Sequence, residues 1–307
     1  MKKFLLIFCA ILVSTASSVG DEIFSGKETV VWGITQGATE FLPISSTGHM
    51  LLVDKFLLNG ERGGRAAGDE LKLTAKGSYF SIIQFGSILA VLCMYRRRFG
   101  SLILGVIGKD CRGRRMAFSL GISFFPAAAV GILIDGWLQK LSYNEITVAA
   151  ALVVGGVIML FAERAYDRKF PKGAAKIYAT MESLTTKQSL TIGLWQCLAF
   201  IPGMSRSMTT IVGGYRCGLR RSEAAEYSFL LGSIVLSAAT VYKFIKDFDV
   251  IFLCFTLKTF LLGIFTAFVT SLATIKLFTV LIARHGTSIF AWYRIILAAI
   301  IFANLLT

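Results

Sequence analysis

ETVVWGITQGATEFLPISSTGHMLLVDKFLL, residues 28–58, and SLTIGLWQCLAFIPGMSRSMTTIVGGYRCGL, residues 189–219, decide how this chain folds. Each holds a half-length apolar run, then proline and serine, then a second half-length run. Pro43 and Pro202 interrupt the helix, because proline brings no backbone N–H and its ring clashes with the preceding turn. A helix that crosses a bilayer needs about 20 apolar residues, so neither half spans alone. The natural reading of each stretch is a re-entrant helix–loop–helix.

Around these stretches lie six uninterrupted apolar runs, at residues 77–95, 117–138, 146–162, 224–242, 255–275 and 288–306. Pro126 lies in the second and predicts a kink there. The 307 residues are 55% apolar and only 16% charged, and mean hydropathy is +0.69. A disordered chain needs the opposite balance, and one soluble domain of this size cannot hide so much apolar surface. The fold expected is an all-α polytopic membrane protein, with about six transmembrane helices plus two re-entrant segments arranged as an inverted repeat. Residues 1–20, MKKFLLIFCAILVSTASSVG, pair Lys2 and Lys3 with an apolar stretch and then small residues. That is a signal-like pattern, cleaved or retained as a first apolar segment, and it puts residues 21–28 outside the cytoplasm. Residues 21–307 then form a single integral membrane domain.

Charge sets the orientation. Lys and Arg number 32 against 18 Asp and Glu, a net charge of +14. The stretch 96–115 carries seven of the basic residues (Arg96, Arg97, Arg98, Lys109, Arg112, Arg114, Arg115), and 163–187 carries six more. Both belong in the cytoplasm. If both broken segments return to the side they entered from, every basic loop falls inside and residues 21–28 fall outside. The basic excess is thus a topology signal, and no nucleic-acid partner is expected. The broken segments also echo each other. Gly33-x-x-Gln36 precedes Pro43-Ile44-Ser45-Ser46, and Gly193-x-x-Gln196 precedes Pro202-Gly203-Met204-Ser205. Gly-Ser-Ile follows at 86–88 and again at 232–234. Three crossings separate the halves, about 28–160 and 188–307, so the repeats are inverted. Such repeats with broken helices build a site near the membrane midplane.

Ionisable groups at membrane depth are costly and therefore functional candidates. The first segment offers Gln36, Glu40, Ser45, Ser46, Thr47 and His49; the second offers Gln196, Ser205, Arg206, Ser207, Thr209 and Thr210. Helix starts after Ser46 and Ser205 present free N–H groups that suit a phosphate, and the planar fork of Arg206 matches phosphate oxygens. Blander readings stand beside these. Ser45, Ser46 and Thr47 also serve as plain N-caps, Glu40 as an ion-pair partner of Arg206, and His49 as a structural residue on the face of Ser46. Glu226 reads as structural, as a cap or a partner of Arg206, and His285 as a loop residue. Asp54, Asp135 and Glu163 are expected to face water or headgroups. Trp292 and Tyr293 read as packing or interface anchors. The six cysteines form no CxxC and read as small core residues rather than zinc ligands or disulfides. No HExxH or acidic cluster predicts a dedicated metal cage.

GATEFLPISSTGHMLL (37–52) and PGMSRSMTTIVGG (202–214) resemble the two signature motifs of the bacterial undecaprenyl-diphosphate phosphatase family, also called the bacitracin-resistance protein family. The likeness continues through IQFGSILAVL (83–92), ALVVGGVIML (151–160), AAEYSFLLGSI (224–234) and FTAFVTSLATIK (265–276), and so covers most of the chain from about residue 28. It implies hydrolysis of undecaprenyl diphosphate to undecaprenyl phosphate and inorganic phosphate. With that come recycling of the lipid carrier for peptidoglycan synthesis and bacitracin resistance. It implies a multi-pass protein of the bacterial inner membrane whose active site faces the periplasmic side. It also implies a divalent cation, Mg or Ca. Carried over, the catalytic residues are Ser46, His49, Glu40 and Arg206. Ser45, Thr47, Ser205, Ser207, Thr210 and Gln36 are candidates for contacts to substrate phosphate, and Glu40 for the metal.

Two positions depart from the family pattern. Gln36 stands at the first of two acidic positions, so it brings neither a base nor a charge, and either Glu40 suffices or metal handling differs. Met208 replaces a usually small residue. On this reading Ser46 is the nucleophile and His49 its base or the acid for the leaving group; direct attack by water, with Ser46 only a hydrogen-bond donor, is the alternative. The rival functions are a lipid-phosphate flippase or anion transporter, built on the same paired broken helices, and a non-catalytic lipid-binding component. The sequence leaves the oligomeric state open, a homo-oligomer included.

Overall fold

The computed structural model describes residues 24–58, 67–141, 145–171 and 178–306. The signal-like segment and Cys9 lie outside these residues.

The first broken stretch folds as α1 (Gly26–Thr39) and α2 (Ser46–Leu57). Ser25 and Glu28 close a reciprocal capping box at the start of α1. The next span is made of α3 (Ala67–Ile82) and α4 (Gln84–Met94), separated by a turn at Ile83. A short helix, α5 (Arg96–Val106), and the long α6 (Cys111–Leu141) and α7 (Glu145–Lys169) follow. The second broken stretch folds as α8 (Thr186–Cys197), capped by the Thr185–Gln188 box, and α9 (Arg206–Arg216). The chain continues through α10 (Arg221–Lys246), the short α11 (Phe248–Cys254), α12 (Leu257–His285) and α13 (Ser288–Leu306).

Six helices among the described residues are long and apolar enough to cross a membrane: Leu73–Met94, Cys111–Ile134, Glu145–Lys169, Arg221–Lys246, Leu257–His285 and Ser288–Leu305. They match the six apolar runs of the sequence. Their outer faces bear large exposed apolar side chains, among them Phe125, Ile132, Leu133 and Phe161. A soluble surface does not carry so much, and the protein is a multi-pass membrane protein. By contrast α1, α2, α8 and α9 have 14, 12, 12 and 11 residues. At 1.5 Å per residue each is about 20 Å long or less, short of a ~30 Å hydrocarbon core. Their lengths fit two hairpins that enter and leave on one side.

The α1 helix lies tight against α12. A Cβ on Gly37 would come within 2.5 Å of the Ala267 carbonyl oxygen, so only glycine allows the approach. The aromatic knot of Phe24, Trp32, Tyr79 and Phe255 closes one end of this pair. The second hairpin sits against α6, α7 and α10, where Tyr166, Met181, Ile192, Met208, Ile211 and Phe229 share the main core.

Several expectations are corrected. Glu163 does not face water: it is 4% exposed, pairs with Arg221, and accepts from the Thr287 backbone N–H at 2.8 Å and hydroxyl at 2.6 Å. It caps the start of α13, a buried task that its place at a helix end concealed. Asp54 is ion-paired with Lys76 at 2.7 Å, and the side chain of Asp135 lies outside the described residues. Glu226 turns away from Arg206 and accepts from Arg98 Nε at 2.7 Å, beside the Arg98–Glu182 pair. His285 is not in a loop; α12 runs through it and ends at Gly286, whose φ of 66° reverses the chain. Cys217 and Cys254 are buried as expected, but Cys93 and Cys111 are exposed: Cys93 lies in a membrane-length helix, whose lipid face accepts a thiol as readily as a core does, and Cys111 opens α6 within the basic stretch.

Candidate active site

The two hairpins meet at their tips, and their loops are built alike. Ser45 and Ser205 are the only non-glycine residues with positive φ among the described residues, at 73° and 76°. Each caps the helix it precedes. The Ser45 hydroxyl accepts from the Gly48 N–H and the Ser205 hydroxyl from the Met208 N–H, both at 3.3 Å. Backbone held in this region by an L side chain is strained, and such strain gathers at functional sites.

Glu40, at the end of α1, is 6% exposed and stands at the centre. Its Oε1 accepts from Arg206 Nη2 at 2.9 Å. Its Oε2 accepts from the Ser46 hydroxyl at 2.8 Å and from Gln36 Nε2 at 2.7 Å. One carboxylate thus joins the guanidinium of one hairpin to the hydroxyl of the other. Arg206 Nη1 also donates to the Ser228 carbonyl at 3.0 Å, its guanidinium lies 5.4 Å from the Phe41 ring centroid, and Nε is buried without a partner among the described residues. Gly232 makes the space: a Cβ there would lie 2.0 Å from Arg206 Nη1.

Ser207 donates to the Leu42 carbonyl at 2.7 Å and shares a 3.0 Å hydrogen bond with Ser205, joining one loop to the other. Thr210 bonds to the Arg206 carbonyl at 2.9 Å and to the Ser228 hydroxyl at 2.6 Å. Thr47 is exposed at the start of α2. Gln196, the counterpart of Gln36, is 2% exposed, and neither its Oε1 nor its Nε2 has a partner among the described residues. Met208 is buried and packs beside Gly155.

His49 lies one turn beyond Ser46 but takes other partners. Its Nδ1 lies 2.7 Å from the Ser45 carbonyl oxygen, which only accepts, so Nδ1 carries a proton. In the neutral ring Nε2 then accepts from the Tyr293 hydroxyl, 2.7 Å away. Tyr293 therefore does more than anchor α13 at the interface. The group against the Ser46 hydroxyl is Glu40 rather than His49.

Arg294 was not among the sequence candidates. It is 0% exposed and spends all five N–H groups on carbonyl oxygens. Nη1 donates to Pro43 at 3.1 Å and to Met204 at 2.9 Å; Nη2 donates to Gly203 at 2.9 Å and to Ala151 at 3.0 Å; Nε donates to Leu152 at 3.3 Å. It fastens both loops to α7, and the gap it fills depends on Gly155, where a Cβ would lie 2.1 Å from Nη2. The signal was present: a lone arginine within an apolar run is a functional candidate by default.

Residues 29–300 match the family model described as bacitracin resistance protein BacA. The chain belongs to the BacA family. Relatives of the family named undecaprenyl-diphosphatase include one from Ectopseudomonas mendocina, 39% identical over 92% of this chain and 95% of its own length. One from Pseudomonas syringae pv. tomato is 38% identical over the same shares. One from Acinetobacter baumannii is 37% identical over 91% of this chain and 96% of its own. Within this BacA-family chain the matched region contains the second hairpin, the first from its residue 29 onward, Tyr293 and Arg294.

Proposed function

We propose that this BacA-family chain is an undecaprenyl-diphosphate phosphatase. It hydrolyses undecaprenyl diphosphate to undecaprenyl phosphate and inorganic phosphate, and so returns the lipid carrier to peptidoglycan synthesis and confers bacitracin resistance. The observation that carries the reading is the Glu40 carboxylate, which holds a serine hydroxyl on one oxygen and a buried arginine on the other.

The lipid tail lies along the apolar helices, and the diphosphate enters from the exposed side of α2, at Ser46, Thr47 and His49. Arg206 and the first-turn N–H groups of α2 and α9 bind the terminal phosphate and stabilise charge as it develops. Ser45, Ser205, Ser207, Thr47 and Thr210 shape and line this cradle. Glu40 accepts the Ser46 proton as Oγ bonds to the terminal phosphorus, while the bond from phosphorus to the bridging oxygen breaks. His49 and Tyr293 carry the proton that the departing lipid phosphate accepts. Water then attacks the phosphoserine phosphorus as the bond to Oγ breaks; Oγ takes back the proton held by Glu40, one proton of the water restores His49 and Tyr293, and inorganic phosphate leaves.

No group of three or more His, Cys, Asp or Glu side chains suited to a metal occurs among the described residues. Magnesium nevertheless needs only one or two carboxylates when substrate phosphates supply the rest. Glu40 and the Ser46 hydroxyl oxygen, 2.8 Å apart, are a hard-oxygen pair that fits such sharing, while Gln36 turns its NH2 rather than its oxygen to Glu40. A bound divalent cation would neutralise phosphate charge there. The protein sits in the bacterial inner membrane with its basic loops in the cytoplasm, and substrate reaches the site from the periplasmic side.

Release of inorganic phosphate by the purified chain in detergent tests the reading, with Arg206→Ala as control. A phosphatase releases phosphate and loses at least about 100-fold in the variant. A flippase or anion transporter releases none, and either that result or an unaffected Arg206→Ala variant would overturn the assignment.

A further inference from the structure

At the end of the bundle that carries the basic loops, away from Glu40, a cavity of about 830 Å³ opens between α7, α8 and α9. Arg164, Arg168 and Lys169 from α7 and Arg216 from α9 line it. None of the four has an ion-pair partner among the described residues. The neighbouring acids on α7, Glu163 and Asp167, are both taken by Arg221. The Arg216 guanidinium lies 5.9 Å from the Trp195 ring centroid, which holds it at the cavity wall. The remaining walls are apolar, and Phe161 on the rim is 64% exposed.

We propose that this cavity binds the phosphate headgroup of an anionic phospholipid. Basic pockets between membrane helices on this side take such headgroups. The cations alone would mark only topology, as Arg96 and Arg97 do. Here they converge from two helices on one concave space, and arginine forks match phosphate oxygens. The apolar walls and rim continue along the lipid-facing side of α7, where Val154 and Val157 are exposed, so the occupant is a lipid and not a dissolved anion. The site shares α9 with the active site: Arg206 stands at its start and Arg216 at its end, about 15 Å apart.

Native mass spectrometry of the full chain in detergent, with added phosphatidylglycerol or phosphatidylcholine, tests this. The wild type is expected to retain phosphatidylglycerol at least about tenfold better than phosphatidylcholine. Arg168→Gln with Arg216→Gln is expected to abolish most of that preference, while Arg96→Gln with Arg97→Gln, which removes the same charge outside the cavity, keeps it. Equal retention of the two lipids by the wild type overturns the proposal without recourse to any variant. An equal loss in the Arg96/Arg97 control overturns it as well, as does displacement of the lipid by millimolar inorganic phosphate. Undecaprenyl phosphate that outcompetes phosphatidylglycerol would replace the proposed occupant with the reaction's own product class.

Discussion

Ser45 and Ser205 hold the same unusual backbone, φ 73° and 76°, at the tips of two different hairpins, and each caps the helix that carries site residues. Strain and capping are thus combined in one residue type at both places. Glycine would relieve the strain and lose only the side-chain cap, whereas alanine keeps the strain and loses the cap. Ser205→Ala is expected to be less stable than Ser205→Gly by about 1 kcal/mol, read as the difference in thermal midpoint of the two variants in detergent. Equal midpoints would mean that the loop stores no strain at this position.

Gly232 is expected to matter through Arg206 alone. Gly232→Ala puts a methyl group onto the guanidinium, and displacement of a reacting group by about 1 Å costs on the order of 100-fold in rate. Phosphate release should fall that far while gel filtration shows folded protein. Gly86→Ala instead presses on the Ile264 carbonyl, 2.2 Å from the added carbon, so its effect should appear in thermal stability. An active Gly232→Ala variant would contradict the placement of Arg206.

Arg294→Lys retains the charge and discards the geometry. An ammonium offers three donors from one point where the guanidinium fills five bonds in a plane. At least two buried carbonyls lose a donor, at about 1 kcal/mol or more each. The variant should unfold at lower denaturant and release phosphate at a small fraction of the wild-type rate. Wild-type stability in Arg294→Lys would show that charge alone holds the loops.

Gln36→Glu brings a second carboxylate to within hydrogen-bond distance of Glu40. Two such groups resist ionising together and hold a divalent cation better than one does. The Mg concentration for half-maximal phosphate release is expected to fall by about tenfold. An unchanged Mg dependence would place the cation elsewhere than at Glu40.

Much of this architecture is legible from composition along the chain. The six apolar runs become the six membrane-length helices because lipid imposes a long apolar window on each. Pro43 and Pro202 mark the breaks because proline takes a donor from the helix and crowds the preceding turn, and the Ser and Gly beside them let the chain turn, whereas the uninterrupted apolar run around Pro126 carries its helix through. Glu40 and Arg206 stand out as charges in apolar surroundings, and their pairing follows from cost. What escapes is contact between distant segments. Tyr293 meets His49 across 244 positions, and nothing local to its apolar run says that its hydroxyl turns inward. Gly232 looks like any small residue of a membrane helix until the guanidinium beside it is seen. Arg294 was visible as a lone charge, but its five carbonyl partners come from three separate segments. The Ile83 turn inside the first span has no proline or glycine to announce it, and nothing in the structure explains it.

The central claim is that Glu40 and Ser46 act as a unit on the terminal phosphate, and a double-mutant cycle on phosphate release tests it most directly. Glu40→Gln and Ser46→Ala are each expected to cost at least about 100-fold. If they act together, the double variant is no slower than the slower single by more than about threefold. Losses that multiply across the two substitutions, or a Ser46→Ala enzyme that retains most of its turnover, would contradict the pairing of serine and carboxylate as nucleophile and base.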